Sequence, residues 1–230
     1  MKEFKIIKND YYEIYFPLEY EEYMKEVLDY STNKLKDNLK FFKEDSYGEL
    51  IKASFFDEKE DFFNRIYEID SNANPPEWAM GCFYGGENQI LLEKENIRRR
   101  FYTLAHETCH LLFSKFIYPN FHDRVVWLDE AFAANFSGEV EEELSNGVFY
   151  EKLNKYVNVD RLPKMNDISF KNNNVKTDEY NAYDFFHIVG RYLIETYNSD
   201  ELLDLYNNES KVLELGEHIL EDSINYFNRW

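Results

Sequence analysis

The segment His106-Glu107-Thr108-Cys109-His110 restricts the architecture of this 230-residue chain more than any other part of its sequence. On an α-helix, residues four positions apart lie on one face, so both imidazoles can reach the same ion while Glu107 lies beside them. On a strand or in a loop the same spacing has no such consequence. The pattern therefore predicts a helix with two histidine ligands for one Zn²⁺ ion and a carboxylate that acts as a general base.

A catalytic zinc ion takes three protein ligands and keeps a fourth position for water, so a third ligand is needed. The segment Trp127-Leu128-Asp129-Glu130 begins another predicted helix, and an antiparallel return of the chain would bring an acidic side chain to the two histidines. Glu130 is the candidate ligand and Asp129 the alternative, because adjacent helical residues are about 100° apart and only one of them can face the ion.

A bound zinc ion lowers the pKa of water from about 15.7 to about 7, which allows Glu107 to accept its proton and pass it to a leaving amine. The tetrahedral intermediate of that reaction carries an oxyanion, which a tyrosine or histidine donor can stabilise. The segment 180–187 contains three such donors, Tyr180, Tyr183 and His187, and its residues alone leave the choice open.

Hydrophobic periodicity predicts strands before the motif and mostly helices after it, the order of an α+β fold. The elements expected before residue 94 are strands at 4–8, 11–16 and 50–56, helices at 18–42 and 57–67, and a hairpin formed by 79–84 and 89–93 around a turn at 85–88. The helices expected from the motif onward are 96–116, 126–137, 139–156, 178–197, 201–207 and 217–228. We expect an N-terminal α+β subdomain over 1–120, which includes the motif helix, and a helical subdomain over 121–230, which carries the third ligand.

Composition narrows the range of partners. The formal net charge of −19 repels phosphate backbones, so nucleic acid is not an expected partner. The sequence has no apolar run of membrane-spanning length and no apparent signal peptide, so we expect no membrane partner and a cytoplasmic location. Two cysteines do not form a disulfide framework, and Cys109 is expected to be a small buried residue rather than a zinc ligand. Nothing in the sequence indicates the oligomeric state.

The HExxH motif followed after nineteen residues by Glu, within Trp-Leu-x-Glu-x-Phe-Ala, resembles the gluzincin metallopeptidases and in particular the peptidase MA-like proteins. The resemblance extends from about residue 76 to residue 230. It implies a thermolysin-like zincin with an N-terminal mixed sheet plus helices, a mainly helical C-terminal half and an active site in the cleft between them. It also implies that His106, His110 and Glu130 bind one zinc ion and that Glu107 is the catalytic base.

Two further roles are implied by the same resemblance. The predicted hairpin is similar to the thermolysin-type hairpin whose first strand is an exposed edge, so Gly81, Cys82 and Phe83 are expected to hold a peptide substrate through their backbone groups. The late helix is similar to the one that carries an oxyanion-stabilising tyrosine in related proteins, and Tyr183 is the expected residue.

The chain also departs from the family pattern. Ala134 stands where thermolysin has an aspartate that orients a zinc-binding histidine, so the hydrogen-bond partner of the histidines is unassigned. Glu87 follows two glycines, as in the aminopeptidase motif whose glutamate binds a free amine, but the preceding methionine is lacking and we interpret residues 85–88 as a turn.

The function expected from the sequence is that of a zinc-dependent metallopeptidase acting on a peptide or protein substrate. The alternative is a peptide-binding or regulatory protein that keeps the zincin fold with little or no turnover. Substrate identity, cleavage-site preference and the distinction between endopeptidase and aminopeptidase are not encoded in any motif that we can interpret.

Overall fold

Five strands form one mixed sheet in the part of the chain that the computed structural model describes, residues 2–75, 77, 79–84, 86–159 and 161–229. The strands are β1 (Phe4–Lys8), β2 (Tyr12–Pro17), β3 (Ile51–Phe56), β4 (Gly81–Tyr84) and β5 (Glu87–Leu91). Their order in the sheet is β1-β2-β3-β5-β4. Strands β2, β3 and β5 are parallel, while β1 and β4 run antiparallel to their neighbours and form the two edges.

Ten α-helices accompany this sheet among the described residues. They are α1 (Glu21–Phe41), α2 (Lys59–Ile69), α3 (Thr103–Phe116), α4 (Val126–Phe136), α5 (Glu139–Asn146), α6 (Val148–Asn154), α7 (Ala182–Thr196), α8 (Ser199–Tyr206), α9 (Glu209–Leu215) and α10 (Ile219–Phe227). All five strands precede the HExxH helix α3, and eight of the ten helices follow the sheet in sequence. The α+β class and the mixed sheet before the motif are therefore confirmed. Among the described residues, no helix is both long and apolar enough to cross a lipid bilayer.

The chain packs as two compact units, Met1–Thr108 and Cys109–Trp230, and helix α3 runs through the point of division. The division predicted at residue 120 stays a prediction about domain organisation. In the first unit, helix α1 buries the predicted apolar positions, Tyr23, Val27, Leu28, Leu35 and Leu39. Helix α2 contributes Phe62 and Ile66 to a cluster with Leu91 of β5 and its neighbours.

The second unit is helical and is built around α4. Nine consecutive residues of this helix, 127–135, are buried, so α4 has no solvent-facing side. Phe132 packs against Phe113 of α3 and Tyr206 of α8, with ring centroids 5.0 and 5.9 Å away. Gly138, with a φ of 97°, follows the end of α4 and terminates it in the left-handed conformation, as predicted.

Several predicted element boundaries are wrong for local reasons. Residues 94–100 form a 3-10 turn with extended backbone at Asn96 (φ −147°), so the motif helix begins at Thr103 rather than at residue 96. Gly147, with a φ of 85°, divides the helix predicted over 139–156 into α5 and α6. Asn181 accepts a hydrogen bond from the Tyr183 backbone N–H, and this cap starts α7 at Ala182 rather than at residue 178.

The hairpin before the motif is correct in place but not in its turn. Tyr84 pairs with Glu87, so Glu87 and Asn88 belong to β5 and not to the turn. Gly85, predicted as the first turn residue, lies outside the described residues, as do Pro76 and Trp230 at the ends of the family resemblance. Gly86 has a φ of 82°, in the left-handed region that favours glycine.

Candidate metal centre and catalytic carboxylate

The two histidines lie on a half-buried face of helix α3, beside the face that its core residues bury. Its buried residues among those described are Leu104, Ala105, Thr108, Cys109, Leu111, Leu112 and Phe113. His106 and His110 lie between these positions and are half-buried. The Thr108 hydroxyl donates to the Leu104 carbonyl at 2.7 Å and accepts from the Tyr12 phenol at 3.1 Å, which satisfies the polar residue of the core face. Cys109 is fully buried, in the packing role predicted for it.

Helix α4 brings two adjacent carboxylates into the protein interior. Asp129 is 2% exposed and Glu130 5% exposed. Burying an ionised carboxylate costs several kcal/mol unless other charges and hydrogen bonds compensate it. Two such groups in succession on a helix with no solvent-facing side therefore require cationic partners.

The ligand atoms of His106, His110 and Glu130 lie within 4.8 Å of one another. His110 Nε2 is 3.7 Å from Glu130 Oε2. Two ligand atoms bound about 2.1 Å from one ion in a tetrahedral site are about 3.4 Å apart, so small side-chain adjustments would complete the set. Two imidazole nitrogens and one carboxylate oxygen are a donor set that zinc takes in hydrolases, and these residues fit that ion.

Asp129 has a different role from the alternative one considered above. Its Oδ1 atom is 2.8 Å from His110 Nδ1. Because an ionised carboxylate only accepts hydrogen bonds, this contact places the imidazole hydrogen on Nδ1 and leaves the Nε2 lone pair on the Glu130 side. Asp129 is thus the histidine-orienting acid that the sequence left unassigned, and it occupies the position before Glu130 rather than that of Ala134.

Arg124, in the loop before α4, contacts both acids. Its Nε donates to Asp129 Oδ2 at 2.5 Å and its Nη2 donates to Glu130 Oε1 at 3.0 Å. Burial opposes ionisation of Asp129, but its interactions with His110 and Arg124 outweigh that effect and hold the pKa of this carboxyl below its ordinary value. Arg124 was not predicted from the sequence. The adjacent acids Asp129 and Glu130 could have indicated it, because two buried carboxylates need a cation nearby.

Gly81 of β4 leaves the space that the Glu107 carboxylate occupies. A Cβ atom built on Gly81 would lie 2.4 Å from Glu107 Oε1 and 3.2 Å from Thr103 Cγ2. The predicted catalytic base therefore lies directly against the backbone of an edge strand. The other two predicted substrate-binding residues follow on the same strand, Cys82 half-buried and Phe83 45% exposed.

Cys82 is not a reactive thiol in this setting. Burial, with a smaller effect from the nearby Glu107 charge, raises the pKa of Cys82 to about 12. The thiol is therefore protonated at neutral pH. The predicted role of Cys82 in substrate binding, through its backbone, stays a prediction.

Glu87 faces away from Glu107. Its carboxylate accepts hydrogen bonds from Ser54 of β3 and, at 2.7 Å, from Arg65 of α2. In β5 the side chains of Glu87 and Ile90 point to opposite faces of the sheet, and Ile90 pairs with Gly81, whose Cβ direction meets Glu107. Glu87 therefore lies on the other face of the sheet from the Glu107 carboxylate.

The three oxyanion candidates differ in their surroundings. His187 is 7% exposed, and its Nδ1 lies 2.8 Å from Glu143 Oε2 and 3.1 Å from Lys152 Nζ. Tyr180 precedes α7, whereas Tyr183 is half-buried in its first turn with the Lys176 ammonium 5.6 Å from its ring centroid. The ion network engages the His187 ring, and the role of Tyr183 stays a prediction.

Comparison with known proteins adds no family assignment. No protein-family model matches the chain, and no curated protein sequence is significantly similar to it.

Proposed function

We propose that this protein is a zinc-dependent peptidase in which His106, His110 and Glu130 hold the metal and Glu107 is the general base. The observation that carries the proposal is the convergence of these three ligands on one point while Asp129 orients His110. A carboxylate behind a metal-binding histidine is the usual outer partner of catalytic zinc ligands. When bound there, zinc would polarise the scissile carbonyl and make an attacking water more acidic.

The residues of the chain supply the proton transfers. Glu107 would accept a proton from the attacking water at its carboxylate and deliver it to the nitrogen of the leaving amine. Its position against Gly81 places this base beside an edge strand, whose backbone groups can pair with an extended peptide. Because Glu107 lies beside this edge strand, we propose peptides as the substrate in preference to other acyl compounds. Tyr183 is the proposed oxyanion donor.

The non-catalytic alternative would be favoured if no acid contacted the zinc-binding histidines. Asp129 contacts His110 Nδ1, and this contact supports the enzyme over that alternative. The orientation of Glu87 also favours an endopeptidase over an aminopeptidase that depends on this residue.

Two measurements test the proposal. Metal analysis of the purified protein should give about one zinc ion per chain, and Glu130→Ala should lose most of it. Cleavage of a degenerate peptide library should fall at least about 100-fold in Glu107→Gln, the usual contribution of a general base, while the variant keeps its zinc. Equal cleavage by wild type and Glu107→Gln would exclude the mechanism, and undiminished zinc in Glu130→Ala would exclude the third ligand.

A matched control separates these effects from general loss of structure. Glu195 is exposed on α7 and forms an i,i+4 ion pair of modest value with Arg191. Glu195→Ala removes one carboxylate, as Glu130→Ala does, and should retain both zinc and activity.

A further inference from the structure

Arg124 divides the four oxygens of Asp129 and Glu130 into two sets. It binds one oxygen of each acid, Oδ2 and Oε1. The remaining oxygens face His110: Oδ1 lies 2.8 Å from its Nδ1, and Oε2 lies 3.7 Å from its Nε2. Each carboxylate therefore has one oxygen on the arginine side and one on the histidine side.

The guanidinium is well suited to this division. Its donors are fixed in one plane, so two of them can address two carboxylates at once, which a lysine ammonium on a flexible chain cannot do with the same geometry. The Phe170 ring lies 5.6 Å from the guanidinium carbon and gives the cation an aromatic neighbour. The Arg124 side chain is nevertheless 44% exposed, so its replacement would not leave a closed cavity.

We propose that Arg124 is a positioning residue that restricts Glu130 to metal binding through a single oxygen and, through Asp129, holds His110 in its metal-binding orientation. The inference rests on the proposed zinc site and goes beyond it, because it assigns the coordination mode of Glu130 to a residue that is not a ligand. With Oε1 engaged by Arg124, only Oε2 is directed toward His110 Nε2. Without Arg124, Oε1 of Glu130 loses the donor that holds it away from His110, and the two acids repel each other.

Two effects of Arg124 on zinc affinity oppose each other. The cation repels a divalent ion at short range, which weakens binding. It also orders both carboxylates before the metal arrives, which strengthens binding, and loss of an outer partner of a zinc ligand usually costs about 10- to 100-fold in affinity. We infer that ordering dominates, because Arg124 holds two side chains of the site and directs its own charge to the oxygens turned away from His110.

The test uses the full chain, freed of metal and reloaded with Co²⁺ or Zn²⁺, as wild type, Arg124→Gln, Arg124→Lys and Arg191→Gln. Arg191 is paired with Glu195 on α7, so Arg191→Gln makes the same change in net charge away from Asp129 and Glu130. The readouts are the visible absorption of bound Co²⁺, whose intensity falls as coordination number rises, and the zinc dissociation constant from competition with a chelating indicator. Circular dichroism confirms that each variant is folded.

In Arg124→Gln we expect weaker Co²⁺ absorption than in wild type, since Glu130 can then bind through both oxygens, and a zinc dissociation constant at least about 10-fold higher. Arg124→Lys should recover part of the affinity without restoring the wild-type spectrum, and Arg191→Gln should match wild type in both. An unchanged spectrum or tighter zinc binding in Arg124→Gln would overturn this inference while leaving the zinc site in place. A wild-type protein that binds neither ion would overturn the proposed function together with it.

Discussion

Gly81 is the residue at which one added methyl group would most directly disturb the proposed chemistry. The new Cβ would lie 2.4 Å from Glu107 Oε1, which is the flexible end of a side chain, so Glu107 would rotate away at little cost to the fold. Gly81→Ala should therefore reduce kcat/KM by about 100-fold or more, the contribution expected of a misplaced general base, and change Tm by only a few degrees.

Peptide cleavage, zinc content and thermal unfolding of Gly81→Ala together check this prediction. Zinc content should match wild type, because no metal ligand moves. Full activity in Gly81→Ala would mean that Glu107 is not held against β4 in the working protein.

Only some residues of the candidate site could be predicted from the sequence. The HExxH spacing predicts that His106 and His110 share a helix face, and the structure bears this out because helical periodicity fixes that relation. Which of Asp129 and Glu130 faces the ion depends on how α4 is rotated against α3, and no local pattern encodes that rotation. Arg124 was missed for a related reason, since a loop residue is related to the acids only by the tertiary path of the chain.

At the scale of elements, α4 and α7 approach each other closely at Gly190. A Cβ atom there would lie 2.6 Å from the Ala131 carbonyl oxygen and 2.1 Å from Asn135 Nδ2. Because the carbonyl is backbone, the helices must separate to admit a methyl group, and overpacking of this kind costs about 1–3 kcal/mol.

Gly190→Ala should accordingly lower Tm by several degrees, at about 2–4 °C per kcal/mol for a chain of this size. It should also weaken zinc binding, since Ala131 directly follows the proposed ligand Glu130. Thermal unfolding and zinc competition measure the two effects, with the exposed Glu195→Ala on the same helix as the control. A variant as stable as wild type would show that α4 and α7 do not pack this closely.

A partly buried ion network of Glu143, Lys152 and His187 joins α5, α6 and α7, and it should make stability depend on pH. Burial opposes ionisation of Glu143, but hydrogen bonds and charge from His187 and then Lys152 outweigh it, so the pKa of Glu143 lies below its ordinary value of 4.5. A carboxylate with a lowered folded-state pKa contributes stability above its unfolded pKa and loses it as pH falls through the folded value.

Glu143→Gln should therefore lower the free energy of unfolding at pH 7 by about 1–3 kcal/mol, the usual cost of losing a hydrogen bond to a charged group. The difference from wild type should shrink as the pH falls below 4.5, because the unfolded chain then binds a proton at this carboxyl more readily than the folded protein does. Urea unfolding of both proteins at pH 7 and pH 3.5 checks this. A difference that is the same at both pH values would show that the charge of Glu143 is not what stabilises the network.

Prediction from sequence succeeded for elements defined by periodicity and failed at their ends. Strands β1 to β3 and helix α4 follow clear alternating or apolar patterns, and their positions were predicted to within two residues. The failures at Asn96, Gly147 and Asn181 are sites where one residue's backbone conformation or cap decides where a helix begins or breaks. Such decisions depend on hydrogen bonds that periodicity does not represent.

At the scale of the whole molecule, helix α3 links the proposed metal site to the stability of the chain. His106 and His110, two of the three proposed zinc ligands, both lie on this single helix. A ligand that binds the folded state alone stabilises it by about 2.7 kcal/mol at 100 times its dissociation constant. For a chain of this size that corresponds to a rise in Tm of about 5–10 °C.

Removal of metal with a chelator should therefore lower Tm by about this amount, and equimolar zinc followed by a small excess should restore it. The net charge of −19 attracts any divalent cation to the surface, so Mg²⁺ at the same concentration serves as the control for non-specific stabilisation. Glu130→Ala should unfold at nearly the same temperature with and without zinc, because it lacks the third ligand. If Mg²⁺ restored Tm as well as zinc did, or if Glu130→Ala responded to zinc like wild type, the stabilisation would come from surface charge and not from His106, His110 and Glu130.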